Sequence, residues 1–202
     1  MLSHAQVRQL EEVVIRAQRI QSSIQPISQT DIAQNSLLLK QDIGELLQGV
    51  PSLFVSSQQN FSQDTRISIR GFGTRATFCI RGIKVLWNGI PMTTPDGQTQ
   101  LDHIPLSSMG TIEVIRGISS GLYGNASGGV IMLKSSPIKP KKTLTATFGD
   151  FASQHLVGSY DSKSEKNLFR VVAEHKKYHG YRHWSGYENS LISLSNTFIN
   201  TH

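Results

Sequence analysis

Cysteine is almost missing: the 202 residues include one, Cys79. That excludes a disulfide framework and a cysteine-built metal cluster. Flanked by Phe78 and Ile80, the thiol reads as a buried, inert group. Also missing is any run near the roughly 18 apolar residues of a membrane-crossing helix, so a helical membrane protein is excluded. The net charge is +6, yet the basic residues are scattered, with one local cluster at Lys139, Lys141 and Lys142. A nucleic-acid partner would need a basic stripe, so none is expected. The opening "MLSHAQVRQLEEVV" lacks both the basic start and the apolar centre of a signal peptide. Ser3-His4-Ala5 does have the small-x-small pattern of a cleavage site, so residues 1–10 are assigned as a signal-peptide remnant.

Catalytic and cofactor-binding patterns are lacking too. "GFGTRA", Gly71 to Ala76, matches the dinucleotide pattern, but that fingerprint needs a helix opening at its end. The sequence "TFCIRGIKVLW" that follows is β-branched and predicts no helix. "GLYGNASGG" has no Gly-Lys-Ser/Thr ending to hold phosphate, and its glycines suit tight turns and close backbone packing instead. His175, His179 and His183 recur every four residues, one face of a helix. Gly180 argues against that helix, and on a strand four residues span about 13 Å, too far for one ion. No Ser/His/Asp or paired-carboxylate set stands out. The reading is of no enzyme, no cofactor and no metal site.

What is present divides in two. Up to about Pro137 the chain mixes short strands with short helical pieces, an α+β domain. "EEVVIRA" is extended in character, and a short helix is predicted over about 41–48, ended by Gly49 and Pro51. "TRISIR" alternates Ile67 and Ile69 with polar residues, a half-buried strand. Asn88-Gly89 marks a turn between strand-like flanks, and "GTIEVIRG" and "GGVIMLKSS" are further strands. After the linker "PIKPKK" the period becomes two, without exception in "TLTATFG" and for the most part in the later runs. Leu144, Ala146 and Phe148 alternate with threonines; Phe169, Val171 and Ala173 oppose Arg170, Glu174 and Lys176; Ile192, Leu194 and Phe198 oppose Ser193, Ser195 and Thr197. A soluble sandwich and a transmembrane barrel share this period. Short connections alternating with a long aromatic one (Tyr178, Tyr181, Trp184, Tyr187) favour the barrel.

The run from Ile67 to Ile131 resembles the plug domain of TonB-dependent outer-membrane receptors. Its matches occur in order: Arg70-Gly71, Asn88-Gly89-Ile90-Pro91, Ile104-Pro105, Ile112-Glu113-Val114-Ile115-Arg116-Gly117, Tyr123-Gly124 and Gly128-Gly129-Val130-Ile131. "TPDGQ" and "YGNASGGV" are similar to the branch with pyrroloquinoline quinone receptors, though iron-chelate receptors share much of the pattern. Asn88, Ile118, Cys79 and Met132 depart from the residues usual in the family.

The resemblance implies an α+β plug domain, residues 18–137, followed by the first antiparallel strands of a truncated transmembrane β-barrel, about four in 138–202. Such barrels have about 22 strands and hold the plug inside. It implies a box at residues 11–17 (Glu12, Val13, Val14, Ile15, Arg16 and Ala17) that pairs with the periplasmic TonB C-terminal domain by strand addition. Arg70, Glu113 and Arg116 are expected to meet charges of the barrel wall, since charges are costly to bury unpaired. Phe72, Arg75, Thr93, Thr94, Asp96 and Gln98 are expected on apical loops facing a small-molecule ligand. The expected partners are TonB, outer-membrane lipid and a siderophore, iron chelate or cofactor, in the outer membrane of a Gram-negative bacterium. Ending at His202, the chain reads as a cut piece or a decaying gene copy, unable to transport alone. The alternative is a stand-alone plug acting as a periplasmic binding module.

Overall fold

A computed structural model describes residues 27–31, 43–47, 50–51, 53–56, 65–74, 79–101, 103–116, 120–124 and 126–199. The 11–17 box and Arg75 lie outside the described residues. In the first half, β1 (Ile27–Asp31) precedes α1 (Ile43–Leu47), within the span predicted for a helix. Then come β2 (Leu53–Ser56), β3 (Arg66–Ile69), β4 (Ile80–Arg81), β5 (Ile83–Trp87), β6 (Ile90–Pro91) and β7 (Gln98–Thr99). A 3-10 turn at Leu106–Ser108 leads into β8 (Met109–Arg116), the one-turn helix α2 (Ser120–Tyr123) and β9 (Gly129–Ser135). The glycine-rich reading missed α2. The end of "GFGTRA" lies outside the described residues, and the next described element is strand β4.

The main sheet of this half has the order β1-β8-β9-β5-β6, with β5 parallel to β9 and the other pairs antiparallel. Its strands are apolar on both faces because both are covered: Val85, Ile112, Val114, Ile115, Val130, Ile131 and Leu133 are all buried. Leu46 and Leu47 of α1 and Ile67 and Ile69 of β3 pack into the same core. The half-buried strand expected at 66–70 is covered more fully, since Ser68 is buried beside its isoleucines. Asn88 and Gly89 both have positive φ, 49° and 86°, which a two-residue hairpin turn requires. Asn88 Oδ1 also accepts the Ser135 N–H at 2.8 Å. The side chain usual in the family would offer the same acceptor, so this departure keeps the contact.

Glycine packs the sheet where strands meet. At Gly129 φ is +144°, and a Cβ there would fall 2.5 Å from the Ile115 carbonyl oxygen. At Gly128 a Cβ would fall 2.5 Å from Cβ of Phe72. Gly128 and Gly129 are packing residues, whereas Gly124 meets open space and serves its positive φ of 61°.

The second half is one antiparallel sheet, β10 (Lys141–Gly149), β11 (Ser153–Lys163), β12 (Asn167–Tyr178) and β13 (Tyr187–Phe198), in sequence order. Its burial is inverted relative to a water-soluble sheet. Register and alternation put Arg170, Val172 and Glu174 on one face with Asp161, Ser159 and Val157, while Phe169, Val171 and Ala173 share the other with Tyr160 and Leu194. The charged residues Arg170 and Glu174 are buried. Leu144 is 86% exposed and Ile192 73%. A wall polar inside and apolar outside suits a barrel in lipid and would be unfavourable in water. Among the described residues no helix is long and apolar enough to cross a membrane, which says nothing of strands.

Candidate functional site: apical loops and a plug–wall seam

The loop after β6 is built around threonines. Thr93 Oγ1 accepts the Val85 N–H at 3.0 Å and lies 2.7 Å from Thr99 Oγ1. Thr93 is buried, which corrects the expectation that it faces a ligand. Its hydroxyl ties the loop base to the core because a buried hydroxyl must find a partner. Thr94 Oγ1 contacts the Asp96 carboxylate and lies 2.9 Å from the Gln98 carbonyl oxygen, while the Gln98 N–H reaches Asp96 Oδ1 at 3.3 Å. The hydrogen bond from Thr94, then that from the Gln98 amide, holds the Asp96 carboxyl below its ordinary range despite slight desolvation. Thr94 and Asp96 are exposed at the loop tip. Their polar atoms are committed first to shaping that tip.

The second loop is a tight turn. Ile69 and Phe72 exchange backbone hydrogen bonds of 3.0 and 2.9 Å across Arg70 and Gly71, both at positive φ. That turn leaves Arg70 exposed and Phe72 about half exposed, resting over Gly128.

Of the charges expected to meet the wall, Glu113 is buried and pairs instead inside the plug sheet, with Lys134 Nζ at 2.5 Å. Arg116 ends β8 half-buried. The seam between plug and wall is made by other residues. Ser107, in the 3-10 turn, donates to Glu174 Oε2 at 3.1 Å. Glu174 Oε1 also lies 2.8 Å from both His155 Nε2 and Lys176 Nζ. Arg170 clamps Asp161 through two nitrogens, at 2.8 and 2.6 Å, and donates to the Ser136 carbonyl oxygen at 3.0 Å. Bidentate geometry of this kind makes the guanidinium a fixed bracket. Sequence reasoning placed Arg170, Glu174 and Lys176 on a polar face but gave them no role. The missed signal was that in a barrel the polar face is the one that meets the plug.

The three histidines spaced by four do not come together. His175 sits on the outward face of β12 with Nδ1 2.8 Å from Ser190 Oγ, and His179 and His183 are exposed beyond the strand end. Among the described residues no three His, Cys, Asp or Glu gather where they could hold a metal.

A family model described as the TonB-dependent receptor plug domain matches residues 16–130. The vitamin B12 transporter BtuB of Vibrio vulnificus strain YJ016 is 29% identical over 192 residues, covering 89% of this chain and 30% of its own length. The chain therefore spans under a third of that relative. The ferric citrate transporter FecA, in its unliganded crystal structure, superposes with a TM-score of 0.68 at 15% identity, over 86% of this chain and 28% of its own. The ferric yersiniabactin uptake receptor FyuA from Yersinia pestis gives 0.58 at 16% identity, over 76% and 24%. At such identities the two structures speak for the fold alone. They match a plug followed by antiparallel wall strands.

Proposed function

The chain belongs to the TonB-dependent receptor plug-domain family, and from that premise we propose that it forms the N-terminal part of an outer-membrane receptor importing a metal chelate or cofactor. The observation that carries this is the inverted burial of the second half. Glu174 and Arg170, 5% and 6% exposed, face the plug, while Leu144 and Ile192 face outward. No soluble binding module has reason to spend charge inside and leucine outside. In this reading the loops at Phe72 and at Thr94–Gln98 meet the cargo, and Arg75 is assigned the same role. The segment Glu12, Val13, Val14, Ile15, Arg16 and Ala17 takes the pull of TonB, and the seam at Ser107 and Ser136 holds the plug until that pull arrives. The relatives are transporters and receptors rather than enzymes, and no chemical step is assigned.

The test is a chimera in which residues 1–202 replace the matching N-terminal third of the Vibrio transporter, in cells lacking their own vitamin B12 uptake. Accumulation of cobalamin, pyrroloquinoline quinone and ferric siderophores would be measured with and without TonB. TonB-dependent accumulation of one of them, lost on deleting residues 12–17, is the expected result. A chimera that reaches the outer membrane yet accumulates none of them overturns the proposal.

A further inference from the structure

Met92 and His103 flank the threonine-clasped loop, eleven positions apart in sequence. In the fold, Nε2 of His103 lies 3.2 Å from Sδ of Met92. Met92 is held from behind. The Met92 N–H donates to the Val85 carbonyl oxygen at 2.9 Å, and its side chain packs in part on the plug core. The Thr93–Thr99 hydroxyl pair fixes the next residue. His103, exposed, sits in a turn closed by the Ile104 N–H on the Leu101 carbonyl oxygen at 3.1 Å.

We propose that Met92 and His103 form a two-donor site for a soft d10 metal ion, Cu(I) by class, carried by the cargo or as the cargo. Metal bonds of about 2.0 Å to imidazole nitrogen and about 2.3 Å to sulfur place the two donors roughly 3.5 Å apart at a tetrahedral angle and roughly 3.2 Å apart at about 95°. The observed 3.2 Å corresponds to the sharper angle. A linear ion would need about 4.3 Å from the same bond lengths. The site is therefore bent and leaves positions open for ligands that the ion brings with it. Thioether and imidazole select soft and borderline metals, whereas ferric iron prefers oxygen. Without metal, an Nε2–H can donate to the sulfur and keep the pair together. On binding, the ring carries its proton on Nδ1 and gives the Nε2 lone pair to the ion. This deepens the uptake reading, on which only the identity of the cargo rests; the binding itself does not.

The experiment uses the whole 202-residue chain in detergent, with carbon-13 methyl labels on its methionines, and Ag(I) as an air-stable stand-in for Cu(I). The Met92 methyl resonance should move on adding one equivalent of Ag(I) and stay still with Ga(III), a hard trivalent probe. Met92→Leu and His103→Ala should each weaken Ag(I) binding about tenfold or more. The buried Met109 methyl reports that each variant keeps its fold. A Met92 methyl that ignores excess silver, an affinity unchanged in His103→Ala, or an equal response to Ga(III) would each overturn the site. A chimera that imports cargo while Met92 stays silent removes this site and leaves the receptor reading intact; silver binding without import does the reverse.

Discussion

Replacing Gly129 with Ala should destabilise the plug more than any alanine elsewhere among the sheet glycines. Two effects combine at this position. The φ of +144° is a conformation side chains rarely adopt, and holding one there costs about 1–3 kcal/mol. The new Cβ would also sit 2.5 Å from the Ile115 carbonyl oxygen and 3.4 Å from Ile69 Cδ1. That oxygen belongs to β8, which pairs with β9 through this stretch, so it cannot retreat without opening the ladder. Overpacking of this kind costs about 1–3 kcal/mol more. With a urea slope of about 1–3 kcal/mol per molar, the midpoint should fall by roughly 1–3 M. Trp87 packs against the plug core and reports its unfolding by fluorescence once Trp184, fully exposed on the wall loop, is changed to Phe. Two controls divide the effect. Gly89→Ala meets positive φ but open space, and should lose about 1 kcal/mol. Gly158→Ala meets neither and should be silent. A Gly129→Ala midpoint equal to that of Gly158→Ala would refute the packing argument.

Three further outcomes are expected. The Asp96 carboxyl, held low by Thr94 and the Gln98 amide, stays ionised in the fold below the usual carboxylate range. Its stabilising effect on the loop tip is therefore complete above the unfolded-state pKa and disappears as pH falls through the lower folded-state value; a carboxyl NMR titration of Asp96 at or above the ordinary midpoint would contradict this, and Thr94→Val should raise it. A peptide of residues 8–20 should bind the TonB C-terminal domain weakly, and Val14→Pro, which removes an amide donor, should abolish binding in a fluorescence anisotropy assay; equal affinity of the two peptides would count against the box. The 202-residue chain in liposomes should conduct nothing, because the open edges of β10 and β13 leave backbone groups unpaired in hydrocarbon, at several kcal/mol each; discrete single-channel currents would reverse that reading.

Much of this architecture was legible locally. A period of two needs only neighbouring side chains to declare itself, so "TLTATFG", "LFRVVAEHK" and "LISLSNTF" could be read as strands that the fold places in one sheet. Asn88-Gly89 announces its turn because few other pairs accept positive φ twice. The ordered matches from Arg70-Gly71 to Gly128-Gly129 carried the family. The loop chemistry was legible only as a set of residue types. Nothing in "MTTPDGQTQLDH" says that Thr93 turns inward, because its burial comes from the backbone of Val85, eight residues earlier.

By itself the sequence determined that three of the four wall strands have an apolar and a polar face, and that an α+β domain precedes them. Only the tertiary structure decided which face lies inside. Alternation is symmetric: it separates two sides and does not say which one meets protein. That choice is made by the plug, whose Ser107 and Ser136 come to Glu174 and Arg170 across 67 and 34 residues of chain. The charges are buried because partners wait there, and the leucines lie on the face turned away from those partners.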